Sequence, residues 1–279
     1  MTITSHLERL SRANLVIALC GAGLVSLAWI GGLFEGSYGD VLFNVHYVFN
    51  DLIIAVAVAL LIVGWRHWRE LPLLVGALAV GFWFLGSLYW TSYVWFAGKV
   101  LVYPSLDKFA YESFHLLMLV LAWYFLGSTE TRFRHPLVLV PIVSAALPTI
   151  VYLSLGHFSI GALAFNTVQL GMSGALGVIG GHLLATRYRL FGVALITFAV
   201  ADLSFLLITL VDSTPFIVFL DPLWFTSHAL TSFALLRYAA NGQLPSSNRG
   251  ESSRNDLEEN VSRVGSVAAT VAQDGGQSP

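Results

Sequence analysis

An all-α fold that crosses a bilayer many times is predicted by three observations. Apolar side chains make up 56% of the 279 residues and charged ones only 11%, a balance far too greasy for a water-soluble domain. Apolar stretches of about 20 residues, the length a helix needs to cross roughly 30 Å of hydrocarbon, recur along the chain. The arginines fall in alternate short connections between these stretches, as they do in the cytoplasmic loops of a multi-pass protein. The lipid bilayer is therefore the first partner implied. A formal net charge of −2 with no Lys/Arg-rich block excludes nucleic acid as a partner. Cys20, the single cysteine, lies inside the first apolar run and excludes an intrachain disulfide framework.

Eight transmembrane helices, arranged as helical hairpins, are expected at about 13–34, 44–65, 71–96, 109–127, 136–156, 160–186, 190–212 and 215–238. Residues 1–12 precede them as a cytoplasmic N-terminus, and 13–238 form the transmembrane domain. The first span exceeds a signal-peptide core and no A-x-A-like site follows Gly31-Gly32, so it reads as a retained span. Arg9 and Arg12 precede span 1, Arg66 and Arg69 join spans 2 and 3, and Arg132 and Arg134 join spans 4 and 5. Arg187 and Arg189 join spans 6 and 7, and Arg237 closes span 8. Lys99 and Lys108, with Glu35, Asp40, Asp107, Asp212 and Asp221, belong to the other side. Both termini are thus expected in the cytoplasm, in a multi-pass protein of the cell membrane.

Pro72 and Pro136 each follow an inner loop, where the first turn of a helix accepts proline because that N–H has no intrahelical partner. Pro141 and Pro148 fall inside span 5 and are expected to kink it, which membrane helices tolerate. Glycines 171, 174, 177, 180 and 181 give span 6 a small-residue face for close helix contact. Phe43, Phe109, Phe165 and Phe225 open the outward-to-inward spans and suggest four repeated hairpins of like orientation. The segment 239–279 is expected to be a disordered cytoplasmic tail, since from residue 241 it is poor in aromatics and rich in Ser, Asn and Gly. Leu257, Val261, Val264, Ala268 and Val271 follow a four-three spacing that could present a short amphipathic helix to a cytoplasmic protein partner.

Polar and ionisable residues inside the spans carry the functional signal, because such groups are costly in hydrocarbon and face a bundle interior or a cavity. His46, Asn50 and Asp51 lie in span 2, Tyr89, Ser92 and Tyr93 in span 3, and Tyr111, Glu112 and His115 in span 4. Asn166 and Gln169 follow in span 6, Asp202 in span 7 and His228 in span 8. All of these fall in the outer half, which points to one outward-facing polar pocket for a small hydrophobic ligand or cofactor. Its candidate lining is Asp51, Asn50, Tyr89, Glu112, His115, Gln169, Asp202 and His228. Asp202 and His228 lie at comparable depth on neighbouring spans and are expected to share a hydrogen bond. Tyr111, His46 and Glu112 also suit the headgroup region, where tyrosine in particular is at home.

Three classes of chemistry could use such a layer. Histidine ligands from two helices can hold a metal or a haem, and the candidates are His115, His228 and His46. Their placement on even-numbered spans resembles the eight-span layout of haem A synthase, which implies haem as a cofactor. The chain departs from that family in lacking a Glu-x-x-His-Arg signature in its first outer loop and in carrying Gln169 where the family has histidine. Glu112-x-x-His115 also matches the local spacing of di-iron bundles, but such a site needs two of these motifs and more glutamates. A second class is an enzyme on a lipid-soluble substrate, with Asp51, Glu112, His115, Asp202 and His228 as acids and bases. No serine or cysteine nucleophile motif, Walker loop or zinc-protease helix accompanies them. The third class is a ligand sensor or transporter, of which the sensor fits better because the inner halves of spans 2, 4 and 8 are almost wholly apolar.

Overall fold

The computed structural model describes residues 3–33, 39–97, 105–129, 160–210 and 217–245, together with 142, 143, 146 and 150. Seven α-helices run through them: α1 (Ile3–Ile30), α2 (Gly39–Trp68), α3 (Leu71–Ala97), α4 (Leu106–Gly127), α5 (Ile160–Leu184), α6 (Arg189–Leu210) and α7 (Ile217–Ala240). No strand occurs among the described residues. The first five of these helices are long and apolar enough to cross a membrane. Most of predicted span 5, with Pro136, Pro141 and Pro148, lies outside the described residues, as does the amphipathic segment of the tail. Helix α1 starts ten residues before the predicted span, because its polar first turns continue the helix rather than precede it. Arg12 and Glu8, one turn apart, pair there at 3.6 Å.

Each described helix packs on the next in sequence, and α1 closes against α7. Helix α7 also touches α2 and α3. It is consequently enclosed on several sides, and from Leu220 to Ala239 only Arg237 is exposed. By contrast, α1 buries one narrow stripe, Leu7, Ser11, Asn14, Ala18 and Gly21, at the alternating spacing that keeps one helix face against a neighbour. Asn14 donates from this stripe to the Ile53 carbonyl of α2 (3.2 Å). On α4 the buried face carries Phe114, Met118, Leu121 and Phe125, yet the outer face carries exposed Leu116, Val120 and Trp123. Helices apolar on both faces are compatible with hydrocarbon outside as well as protein inside.

Contacts at the helix ends gather the arginine-bearing turns at one end of the bundle. Arg69 and Glu70 alone join α2 to α3, with Arg69 in the left-handed region (φ 59°) and its guanidinium 5.4 Å from the Trp65 ring centre. Pro72 occupies the first turn of α3, as expected. Ser128, just past α4, donates to the Tyr188 hydroxyl (3.2 Å), which also accepts from Arg187 (2.7 Å). Tyr238, near the end of α7, accepts from the Leu190 and Phe191 amides (3.1 and 3.3 Å). Those amides belong to the first turn of α6 and have no intrahelical acceptor, so Tyr238 caps that helix from a neighbour.

The small-residue face expected on span 6 is used in part. A Cβ on Gly180 would lie 2.8 Å from the Gly192 carbonyl oxygen, and one on Gly192 would lie 2.6 Å from that of Gly180. Only glycine lets α5 and α6 approach this closely. Gly181, although adjacent, faces open space. Two phenylalanines of the suggested repeat do not share an environment: Phe225 is fully buried and Phe109 is 64% exposed. They do not mark equivalent positions, because α7 is enclosed whereas the start of α4 is peripheral.

Gly192→Ala is expected to lower stability by about 1–3 kcal/mol through overpacking, and Gly181→Ala, in open space on the same helical hairpin, to raise it by up to about 1 kcal/mol. Thermal unfolding in detergent micelles measures both. Tyr238→Phe strands two amides and is expected to cost about 1–3 kcal/mol in the same assay.

Candidate functional site

The most heavily bonded polar side chain in the interior among the described residues is Asp202, the one acidic residue of helix α6. Its Oδ2 accepts from Ser173 (2.6 Å) and Gln169 (3.3 Å) of α5 and lies 2.7 Å from His115 Nε2 of α4. Its Oδ1 accepts from the Trp224 indole of α7 (2.9 Å). The other imidazole nitrogen, Nδ1, donates to the Tyr111 carbonyl (2.7 Å), which can only accept. One proton must therefore lie between Nε2 and Oδ2, since two lone pairs at that distance would repel. Whichever atom holds it, the His115–Asp202 pair is neutral as a unit. That is the condition under which a carboxylate can stay in a low-dielectric interior.

The expected Asp202–His228 hydrogen bond is not formed. The carboxylate is instead occupied from α4, α5 and α7, and the α7 donor is Trp224, one turn before His228. His228 packs on the rings of Trp83 (centroids 5.1 Å), Phe114 (5.1 Å) and Phe198 (5.9 Å). Its Nε2 is buried without a hydrogen-bond partner. Trp83 and Trp224 were not among the expected site residues; an aromatic on an apolar helix looks like core packing, and only the indole N–H of Trp224 distinguishes it.

A second group lies toward the end away from the arginine turns. His46 Nε2 of α2 is 3.4 Å from Asp221 Oδ2 of α7, and both side chains are buried. Tyr47 packs against Trp90 beside them with its ring tilted (centroids 4.9 Å, 50°), and Asn50 is buried one turn along from His46. In the sequence Asp221 counts among the acidic residues of the outer side, within the first turns of the span expected at 215–238. Helix α7 in fact begins at Ile217 and carries Pro222 inside it, so Asp221 is already within the bundle. Asp221, Trp224 and His228, at i, i+3 and i+7, share one face of α7.

The third group is Asp51, which accepts from Ser87 of α3 (2.6 Å). It reaches a cleft of about 300 Å³ between α2 and α3, lined also by Val48, Leu52, Ala55, Phe84, Leu88, Thr91, Ser92, Trp95 and Phe96. Leu52, Leu88, Trp95 and Phe96 are exposed, so the cleft opens to the outside of the bundle rather than its axis. Asp51 itself is only 8% exposed.

The eight expected lining residues therefore do not meet in one pocket. His115, Gln169 and Asp202 come together; Asp51 lines the α2/α3 cleft and Asn50 is buried on the same helix. Tyr89 stacks on Tyr93 (6.2 Å) and is absent from the cleft lining. Glu112 shares a helix face with His115, but His115 turns to Asp202 and Glu112 Oε1 is buried without a hydrogen-bond partner. A haem held between His115 and His228 does not fit. Both His115 nitrogens are committed to protein oxygens, and the rings of Trp83, Phe114 and Phe198 each pack on both imidazoles. Among the described residues no group of three His, Cys, Asp or Glu side chains is placed to hold a metal ion.

Comparison with known proteins finds no match to any family model, curated protein or solved structure.

Asp202→Ala and His115→Ala should each destabilise the protein by about 3–5 kcal/mol, because each strands a buried polar partner. The double variant should lose much less than the sum. Unfolding in mixed micelles, read as a double-mutant cycle, measures the coupling; additive losses would show that the two groups act independently.

Proposed function

We propose that this chain is a multi-pass membrane protein that binds a small lipid-soluble molecule, taken sideways from the bilayer into the cleft between α2 and α3. The carrying observation is one carboxylate, Asp51, reaching an otherwise largely apolar cleft whose rim is exposed hydrocarbon. An acid at such a place is costly in lipid and is a functional position by default. A concave apolar site with one or two polar groups is also the usual form of a small-molecule site. Of the acids and bases expected for catalysis, Asp51, Glu112, His115, Asp202 and His228, Asp51 alone is among the residues lining the cleft, which favours binding over turnover there.

The arginine-bearing end is assigned to the cytoplasm by the excess of basic residues in its turns, which puts both termini there and the cleft in the outer half of the bilayer. The amphipathic spacing in 257–271 then lies where a cytoplasmic partner could use it.

A chain-brominated undecanol should quench Trp95 saturably in nanodiscs, the signal being isolated by subtracting the Trp95→Phe variant. Ala55→Phe, which fills the cleft, should abolish saturation, whereas Ala59→Phe, outside the lining, should not. Unsaturable quenching alike in all variants would mean that the cleft holds no ligand of this kind. For orientation, Glu70→Cys in a Cys20→Ser background should react with an impermeant maleimide only from the cytoplasmic side.

A further inference from the structure

We propose that the α2/α3 cleft selects a positively charged amphiphile, an alkylamine whose ammonium group pairs with Asp51; this rests on reading the cleft as a binding site. The charge complement is one-sided. Among the residues lining the cleft Asp51 is the acidic one, and none is Lys, Arg or His. Inside the bundle Asp51 lies within electrostatic reach of a second carboxylate, Asp221. The imidazole of His46 is placed against Asp221 at 3.4 Å.

Hydrogen bonding points the same way. Ser87 donates a hydrogen bond to Asp51 Oδ1, and the Thr91 hydroxyl is a second neighbour of this carboxyl group. A carboxylate has about four lone-pair sites, and an ammonium brings three donors to them. A hydroxyl brings one, and a carboxylate or phosphate headgroup brings none and would be repelled. Trp95, Phe84 and Phe96 supply aromatic faces in the same cleft, which attract a cation but not an anion. The volume of about 300 Å³ is at the small end of ligand sites. It accommodates the headgroup and first methylenes, while the remainder of the chain leaves through the exposed rim into lipid.

The test compares three probes of equal chain length, brominated undecylamine, undecanol and undecanoic acid, by saturable quenching of Trp95 in neutral nanodiscs. The amine is expected to bind about tenfold more tightly than the alcohol, the difference between a charge-assisted and a neutral hydrogen bond. Asp51→Asn should remove that preference and leave alcohol binding in place. Equal affinities for amine and alcohol in the native protein, or tightest binding by the acid, would overturn this proposal and leave the cleft as a ligand site. Saturable quenching by none of the three would overturn both. The ranking in the native protein decides the matter even where Asp51→Asn fails to fold.

Discussion

The Asp202 carboxylate ties four helices to one point. It sits on α6 and takes its partners from α4, α5 and α7, so the rotation of each helix about its own axis is fixed by where its donor must lie. A helix turned by one residue would swing its donor away by about 100°, leaving an uncompensated carboxylate in a medium that does not solvate it. Apolar packing in a membrane has no comparable power to select, because lipid tails are as apolar as leucine. The buried pair therefore specifies the arrangement more than it adds to stability, which agrees with what buried ion pairs generally contribute.

Around that point the bundle divides by chemistry along its length. One end is held by tyrosine hydroxyls and tight turns: Tyr188 and Tyr238 serve Ser128, Arg187 and the first turn of α6. The other end gathers Asp51, Asp107, Asp221 and His46, all buried. Tyr111 lies within electrostatic reach of Asp51, Asp107, Asp202 and Asp221, and thus relates the core network to this end. Gly86 makes that possible, since a Cβ there would meet the Tyr111 ring at 2.7 Å.

How much of this the sequence disclosed depended on the range of the interaction. Apolar runs and arginine-bearing turns are local, and they located the described helices to within a few residues at most ends. Of the polar residues singled out, His46, Asn50, Asp51, His115, Asp202 and His228 are buried, Tyr89, Glu112 and Gln169 are half-buried, and His115, Gln169 and Asp202 meet. Their partnering was not legible. Depth along a span follows from counting, but which face a residue presents follows from packing among several helices, and so Asp202 was matched with His228 instead of His115. Asp221 was missed for a different reason: it falls inside the predicted span 215–238 but was grouped with the acidic residues of the outer side, so it was not weighed with the interior polar groups. The cleft is a property of two exposed helix faces, and apolar periodicity does not distinguish a concave face from a flat one.

The turn at Arg69 and Glu70 bears on how the cleft can change. Two residues give α2 and α3 almost no slack, and the left-handed backbone of Arg69 spends what little there is. Rods clamped together at one end part only at the other, like the arms of tweezers. Any widening between these helices is then greatest beyond Asp51, where Trp95 and Phe96 stand, and least beside the arginines. Asp51, the carboxylate of the proposed site, lies part-way along those arms, nearer the hinge than Trp95 and Phe96 are.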